Sequence, residues 1–339
     1  MVRSGDGMKA AVNTRYGSPQ AVSIRDIAKP QPAAGEILVR IHATTVSRTD
    51  CGMLRGHPFF IRLVTGLFRP KITVLGMDFA GVVEAVGADV TSFKPGDHVF
   101  GLSPDRYGAH AEYLCMPEDG PIAFMSAGIG YCDAVLCEGA WYAHTYLEEF
   151  GLGPGNTILI YGASGAIGLA AVQLAKARGA SVTAVATEAH FDLLKSLGAD
   201  RMLDYRAQDF TKIGETFDFV LDAVGKTSFF ACRGLLKPEG RFSATDLGPW
   251  WQTIWLSLWF FAVGSKRASF PMPKCSKALI EYFKARMEAG ELRAVIDRTY
   301  RLDAIVEAYL YVESARKTGI VVIPVVQDGA GAASISGNG

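Results

Sequence analysis

The chain has 339 residues, with 34 basic and 34 acidic side chains and a formal net charge of zero. That length allows two domains with cores of their own, and the balanced charge gives no reason to expect nucleic acid or an anionic membrane as a partner. Six cysteines (Cys51, Cys115, Cys132, Cys137, Cys232, Cys275) lie scattered with no CxxC pair, and no basic-then-apolar leader pattern opens the sequence. These features point to reduced thiols in a cytoplasmic protein.

Residues 1–7 read as a loose extension. From 8 to 125 the pattern is β-rich, with strand character at 8–13, 21–27, 36–45, 80–86, 98–101 and 109–115. Turn chemistry separates these runs at 16–19, at 32–35 and at Lys94-Pro95-Gly96-Asp97, which predicts a partly open barrel of short strands. Near residue 131 the grammar changes. A helix over 132–150 leads to the stretch 157–168, TILIYGASGAIG.

That stretch organises the rest. Strand residues run into a tight turn with Gly162, Gly165 and Gly168 spaced three apart, and a helix opens behind it. A second apolar strand, 181–186, follows. In such a strand–turn–helix–strand unit, small residues let the backbone approach a pyrophosphate, and free N–H groups at the helix start face its charge. Gly162, Ala163, Ser164, Gly165, Ala166, Ile167 and Gly168 are therefore the candidate dinucleotide cradle; the bland alternative is a tight turn without a ligand.

Strand and helix then alternate: helix 190–197, strands 201–204 and 217–221, helix 228–236, strand 240–244. This order implies a parallel sheet with helices on both faces. The segment 250–263, WWQTIWLSLWFFAV, is strongly apolar but too short to span a bilayer. It reads as a buried helix or subunit contact, with a pocket lining or a shallow membrane attachment as alternatives. A long amphipathic helix over 274–290, a strand at 296–300, a helix at 302–314 and a strand at 319–325 close the fold. The tail 327–339 has almost nothing apolar to bury and is expected to be disordered.

Laid out this way, the chain resembles the medium-chain dehydrogenase/reductases, and most of all their zinc-free quinone oxidoreductase-like (zeta-crystallin-like) branch. The resemblance covers about 8–326 and is carried by MKAAV (8–12), PAAGEILVRIHATTVSRTD (32–50), VLGMDFAGVVEAVGADVTSFKPGDHVFG (74–101), YGASGAIGLAAVQLAKARGA (161–180), LGADRMLDYRAQDF (197–210) and FDFVLDAVG (217–225). It implies an α/β fold: a doubly wound Rossmann sheet (132–275) inserted in a GroES-like, partly open barrel built from 1–131 and 276–326. It also implies a homodimer joined through the sheets, no membrane span and no nucleic acid.

Zinc catalysis needs three protein ligands around an open position. At the positions that hold zinc in the metal-bearing relatives, this chain has Ser47 in Ser47-Arg48-Thr49-Asp50, Met77 in Gly76-Met77-Asp78, and Cys137. Only the last is a ligand type, so no metal is expected. For the nicotinamide cofactor, the second strand ends at Ala186-Thr187 without an acid in the strand, though Glu188 lies close behind. Thr187, His190 and Tyr205 are candidates for a 2′-phosphate, which favours NADPH over NADH. The loop Asp222-Ala223-Val224 is expected beside the cofactor, with Leu247-Gly248 a weaker second.

Without zinc, charge growing on a substrate oxygen must meet hydrogen-bond donors. Ser47 and Asp50 are the catalytic candidates by their place in the resemblance, against a local strand-end or turn role. Tyr107 and His110 are more remote ones. The implied activity is NAD(P)H-dependent reduction of quinones or α,β-unsaturated carbonyls, whose conjugation spreads developing charge. Phe59-Phe60 and the tryptophan-rich segment offer stacking surfaces for such an acceptor, with core packing as their default. A metal-free alcohol dehydrogenase or ketone reductase, an enoyl-thioester reductase, and a cofactor-binding protein without turnover remain alternatives.

Overall fold

The computed structural model describes residues 7–59, 61–246, 251–262 and 267–326. Expectations for 1–6, Phe60, Leu247, Gly248, Trp250, Val263 and the tail 327–339 lie outside the described residues.

The first half is β-rich. Strands β1 (Gly7–Asn13) and β2 (Val22–Ala28) form an antiparallel pair. Then come β3 (Glu36–Val46), helices α1 (Arg48–Arg55) and α2 (Ile61–Thr65), and strands β4 (Asp78–Val86), β5 (His98–Leu102), β6 (Tyr113–Pro117) and β7 (Ile122–Phe124). The chain crosses over through α3 (Tyr131–Ala134) and α4 (Cys137–Phe150). From there it alternates: β8 (Thr157–Tyr161), α5 (Ala166–Ala177), β9 (Ser181–Ala186), α6 (Phe191–Ser196), β10 (Arg201–Asp204), β11 (Phe217–Asp222), α7 (Phe229–Cys232), β12 (Leu236–Ala244), α8 (Gln252–Ala262) and β13 (Ala268–Ser269). Helix α9 (Lys277–Glu288), β14 (Ile296–Thr299), α10 (Ile305–Glu313) and β15 (Ile320–Pro324) complete it.

Strands β8–β13 form one parallel sheet in the order β10-β9-β8-β11-β12-β13. Its central strands are apolar without alternation, as strands covered on both faces must be; Ile158, Leu159 and Ile160 are each fully buried. The order reverses direction between β8 and β11, and a ligand crevice opens beyond the carboxyl ends of strands at such a switch point. Helix α5 covers this sheet with Gly168 through Ala175 all buried, and Gly168, Ala170, Ala171 and Ala175 among them let helix and sheet approach closely.

The second sheet runs β14-β15-β3-β4-β5-β7, with β6 also on β3. One edge of β3 is shared: Glu36 to Arg40 pair with β6, and Ala43 to Val46 pair with β15. The register shifts where β3 meets β4, and such irregularities bend a sheet toward closure. The C-terminal strand therefore returns to the sheet built by the first half of the chain. One apolar cluster runs from Val46 and Leu54 through α4 and α5 to α9 and α10, tying the two sheets together.

Three expectations differ in detail. The single helix expected over 132–150 is two, because Val135 (φ −86°, ψ 55°) leaves the helical region. The restart lets the backbone N–H of Glu138 donate to the Asp78 carboxylate on β4 (2.9 Å), so a barrel side chain serves an unpaired donor of α4. The helix expected over 228–236 is only the one turn of α7 and a 3-10 turn (Arg233–Leu235), and β12 begins at Leu236. Helix α8 is not a buried helix: Leu256 is buried, whereas Trp255, Leu258 and Trp259 are exposed.

Candidate active site

β8 ends at Gly162, whose φ of +76° belongs to the left-handed region. A Cβ there would come within 2.6 Å of Val224 Cγ1, and one at Gly168 within 2.3 Å of the Gly162 carbonyl oxygen. Both glycines are required by the turn itself. Gly165 differs: its φ is −78° and an added Cβ would find nothing closer than 3.5 Å. The turn is anchored because Gly162 and Ala163 both donate N–H to the Val185 carbonyl (3.1 and 3.2 Å). No side chain caps α5 and no acid occupies its first turn. The Gly165 N–H is taken by the Gly162 carbonyl (3.1 Å), and Ala166, Ile167 and Gly168 behind it present a helix start whose backbone N–H groups favour an anion. This donor set, free of competing carboxylates and with space at Gly165, fits a dinucleotide pyrophosphate.

Across the switch point, Asp222 ends β11 with its carboxylate turned back on its own loop. It accepts the N–H groups of Val224 (3.0 Å), Gly225 (2.8 Å) and Thr227 (2.7 Å). Burial raises its pKa, and those three donors oppose the rise. Asp222 and buried Ala223 thereby shape the loop that presses Val224 against Gly162. At the end of β9, His190 bridges the two halves of the molecule. Its Nδ1 meets Thr187 Oγ1 at 2.8 Å and its Nε2 meets Thr318 Oγ1 at 2.9 Å. Beside it, Gly319 donates its N–H to the Ser164 carbonyl (2.9 Å), so the approach to β15 lies against the glycine turn. Tyr205 is 43% exposed, edge-on to Tyr161. The structure thus gathers Gly162 to Gly168, Thr187, His190, Tyr205 and Asp222 to Val224 around the carboxyl ends of β8, β9 and β11.

The barrel wall supplies Ser47 and Asp50, and they form a capping box at the start of α1. Ser47 donates both its N–H (2.9 Å) and its hydroxyl (2.8 Å) to Asp50 Oδ2, and Asp50 N–H returns to Ser47 Oγ (3.1 Å). Asp50 Oδ1 accepts the Gly76 N–H at 3.0 Å. Both side chains are spoken for locally. His110 is also committed, with Nε2 on the Thr45 carbonyl (2.8 Å) and Nδ1 near the Tyr309 hydroxyl (3.2 Å). Tyr107 is buried, its carbonyl accepting from Ser103 Oγ at 2.9 Å. Met77 and Cys137 are buried, and burial, then the Asp78 charge, pushes the Cys137 thiol pKa far above its usual value. Among the described residues, no group of three or more His, Cys, Asp and Glu is placed to hold a metal ion.

Sequence reasoning missed the carboxyl group at the centre of this wall. Glu138, in the first turn of α4, has its pKa pushed up to about 8 by burial, then by the charges of Asp50 and Asp78, with Thr49 and Ser47 opposing. Fully buried Asp78 is pushed up to about 6, burial again leading; Thr45 Oγ1 donates to its Oδ2 at 2.7 Å. Tyr142, one helical turn beyond Glu138, is pushed up to about 12 by burial and by Glu138. Lys317 lies near Glu138 and Asp297, its pKa lowered by burial and its Nζ on the Gly319 carbonyl at 2.5 Å. The signal was legible: Glu138 is the sole charge in the apolar run 134–143, AVLCEGAWYA.

Comparison with known proteins now bears on this site. Residues 33–126 match the alcohol dehydrogenase GroES-like domain, and 197–323 match a family described as zinc-binding dehydrogenase. A 2-methylene-furan-3-one reductase of Solanum lycopersicum is 30% identical, over 93% of this chain and 79% of that one. The chain is a medium-chain dehydrogenase/reductase of the quinone oxidoreductase-like branch. A chloroplastic quinone-oxidoreductase homolog of Spinacia oleracea, also 30% identical, belongs to the same set and is covered over 95% of its length. The solved quinone oxidoreductase of Coxiella burnetii superposes with a TM-score of 0.83 at 26% identity, over 94% of this chain and all of that one. The GroES-like barrel and the Rossmann sheet are those of the family. No described helix is long and apolar enough to cross a membrane.

Proposed function

We propose that this chain is an NADPH-dependent, zinc-independent reductase of quinones or α,β-unsaturated carbonyls. The observation that carries the reading is the uncapped glycine turn at the switch point, together with the acids Asp50, Asp78 and Glu138 that gather where α1, β4 and α4 meet. When bound, the nicotinamide supplies the hydride. Residues 162–168 would hold the pyrophosphate of that cofactor, and Val224, on the loop braced by Asp222, would border it. Thr187, His190 and Tyr205 form the 2′-phosphate end: Thr187 and His190 offer a hydroxyl and an imidazole where an NAD-selecting acid would stand.

Glu138 keeps its proton on a carboxyl oxygen at neutral pH and can release it to the substrate, as reduction of a conjugated C=C bond requires. Ser47 and Asp50 act behind it as positioning residues. They fix the start of α1; burial first, then the charges of Asp50 and Asp78, favours the protonated form of Glu138, and Ser47 opposes it. The donor set argues against zinc, since Met77 offers a thioether and the Ser47 hydroxyl is committed to Asp50. A conjugated acceptor needs less Lewis-acid assistance than an isolated carbonyl, and its Solanum and Spinacia relatives carry names of that type.

We assign 132–275 to the nucleotide domain and 1–131 with 276–326 to the barrel domain. The edge strand β13 is the proposed seam of a homodimer, and six unpaired thiols accord with a cytoplasmic protein. Calorimetric titration with NADPH and NADH, followed by a substrate panel of quinones, enones, alcohols and enoyl thioesters, tests the reading. Tighter NADPH binding and turnover confined to quinones or enones are expected. Tighter NADH binding, or turnover of alcohols alone, would refute it.

A further inference from the structure

Between Asp50 and Asp78 the chain runs 27 residues without one acidic side chain, yet carries Arg55, Arg62, Arg69 and Lys71. The zero net charge of the whole chain conceals this local surplus. Within it, Phe59 is 62% exposed, Leu63 71%, Leu67 45% and Phe68 87%. The segment is secured from its inner side by polar contacts. The Tyr16 hydroxyl lies 2.7 Å from both Thr65 Oγ1 and the Gly66 carbonyl oxygen, and Arg62 Nε donates to the Gly56 carbonyl at 3.1 Å. The Arg62 guanidinium lies over the Tyr16 ring, 4.6 Å from its centroid. Polar groups thus fix the backbone while four large apolar side chains point to solvent. Arg69 and Lys71 are exposed and carry no ion pair among the described residues.

We propose that residues 57–59 and 61–71 are a docking surface for an anionic lipid bilayer. Isolated apolar side chains suited to burial at the headgroup–acyl boundary, interleaved with unpaired cations and free of acids, match a charged lipid interface. An acidic protein partner would explain the cations but not apolar side chains exposed this far along so short a segment. The segment is rooted at the proposed cleft: it leaves through α1, whose first turn holds Asp50, and returns to Gly76, whose N–H bonds to Asp50 Oδ1 at 3.0 Å. A bilayer seated on it would lie beside the cleft mouth, where an apolar acceptor dissolved in the membrane could enter. The docking itself does not depend on the substrate assignment, and its test reads binding rather than turnover.

The test is co-sedimentation of the full chain with vesicles of phosphatidylcholine alone or mixed with phosphatidylglycerol. Binding to the mixed vesicles, little to the neutral ones, and release at high salt are expected. The double variants Arg69→Glu/Lys71→Glu and Leu63→Glu/Phe68→Glu should each weaken binding by at least about tenfold. Trp255→Ala/Trp259→Ala, on the exposed face of α8, should leave it unchanged, and thermal melts verify that each variant is folded. Failure to bind the mixed vesicles would overturn the proposal, as would binding lost through the α8 variant alone. So would a shift from dimer to monomer in Leu63→Glu/Phe68→Glu without vesicle binding, which would make the surface a contact between copies.

Discussion

Glu138 concentrates the chemistry of the site in one side chain. Its folded pKa lies near 8 against an ordinary value of 4.5, so the native state holds a proton that the unfolded chain has lost. The native state therefore binds more protons between those values, and this group's contribution to stability falls as pH rises from about 4.5 through 8. Melting temperature measured from pH 5 to 9 should decline less in Glu138→Gln than in the parent, and the variant should be the more stable of the two above pH 8. The same substitution should lower kcat by about a hundredfold and remove the alkaline fall in kcat expected of the parent near pH 8. Ser47→Ala should cost about 1 kcal/mol of stability through loss of the cap. It should shift the pH profile without abolishing turnover, because the hydroxyl serves Asp50. Ser47 and Asp50 could be picked out from the sequence by their place in a motif. Their commitment to each other could not, because a capping box and a substrate contact use the same residues at the same spacing. Glu138 was readable as a lone charge in an apolar run. Its raised pKa was not, since it depends first on burial and then on Asp50 and Asp78, all of which only the fold supplies.

At the scale of elements, the glycine turn was the most legible feature, and three glycines that look equivalent in sequence do different work. Gly162 and Gly168 are sterically required, whereas Gly165 has room for a methyl group at an ordinary φ. Gly168→Ala should therefore lose stability or fail to fold. Gly165→Ala should melt within a few degrees of the parent and yet bind NADPH about tenfold more weakly in calorimetry, because the methyl would stand where the pyrophosphate approaches. Tolerance of both changes with unaltered binding would remove the turn from the site. His190→Ala should weaken NADPH by about tenfold and NADH by less than about twofold if the imidazole serves the 2′-phosphate. The break between α3 and α4 was invisible beforehand. Residues 132–150 have continuous helical character, and the interruption answers to Asp78 on a distant strand. The exposure of α8 was hidden for a similar reason, since apolar periodicity reports what a segment could bury and not what the fold offers to cover it.

Across the whole molecule, alternating strand and helix patterns made the parallel sheet readable, because each βαβ unit is local in sequence. The pairing of β15 with β3 joins residues 275 positions apart, Val321 with Val46, and no local pattern encodes it; the family resemblance implies it. That return is what places Thr318 and Gly319 against His190 and Ser164 and closes the barrel over the nucleotide edge. The account's central claim is that this crevice delivers hydride from a nicotinamide to a conjugated acceptor with no metal ion. Its most direct test is deuterium transfer from 4,4-dideuterated NADPH to an enone, followed by mass spectrometry of the product before and after exhaustive chelation. The account predicts one deuterium at the β-carbon at a rate unchanged by the chelator. Absence of label, or turnover lost on chelation and restored by zinc, would contradict it.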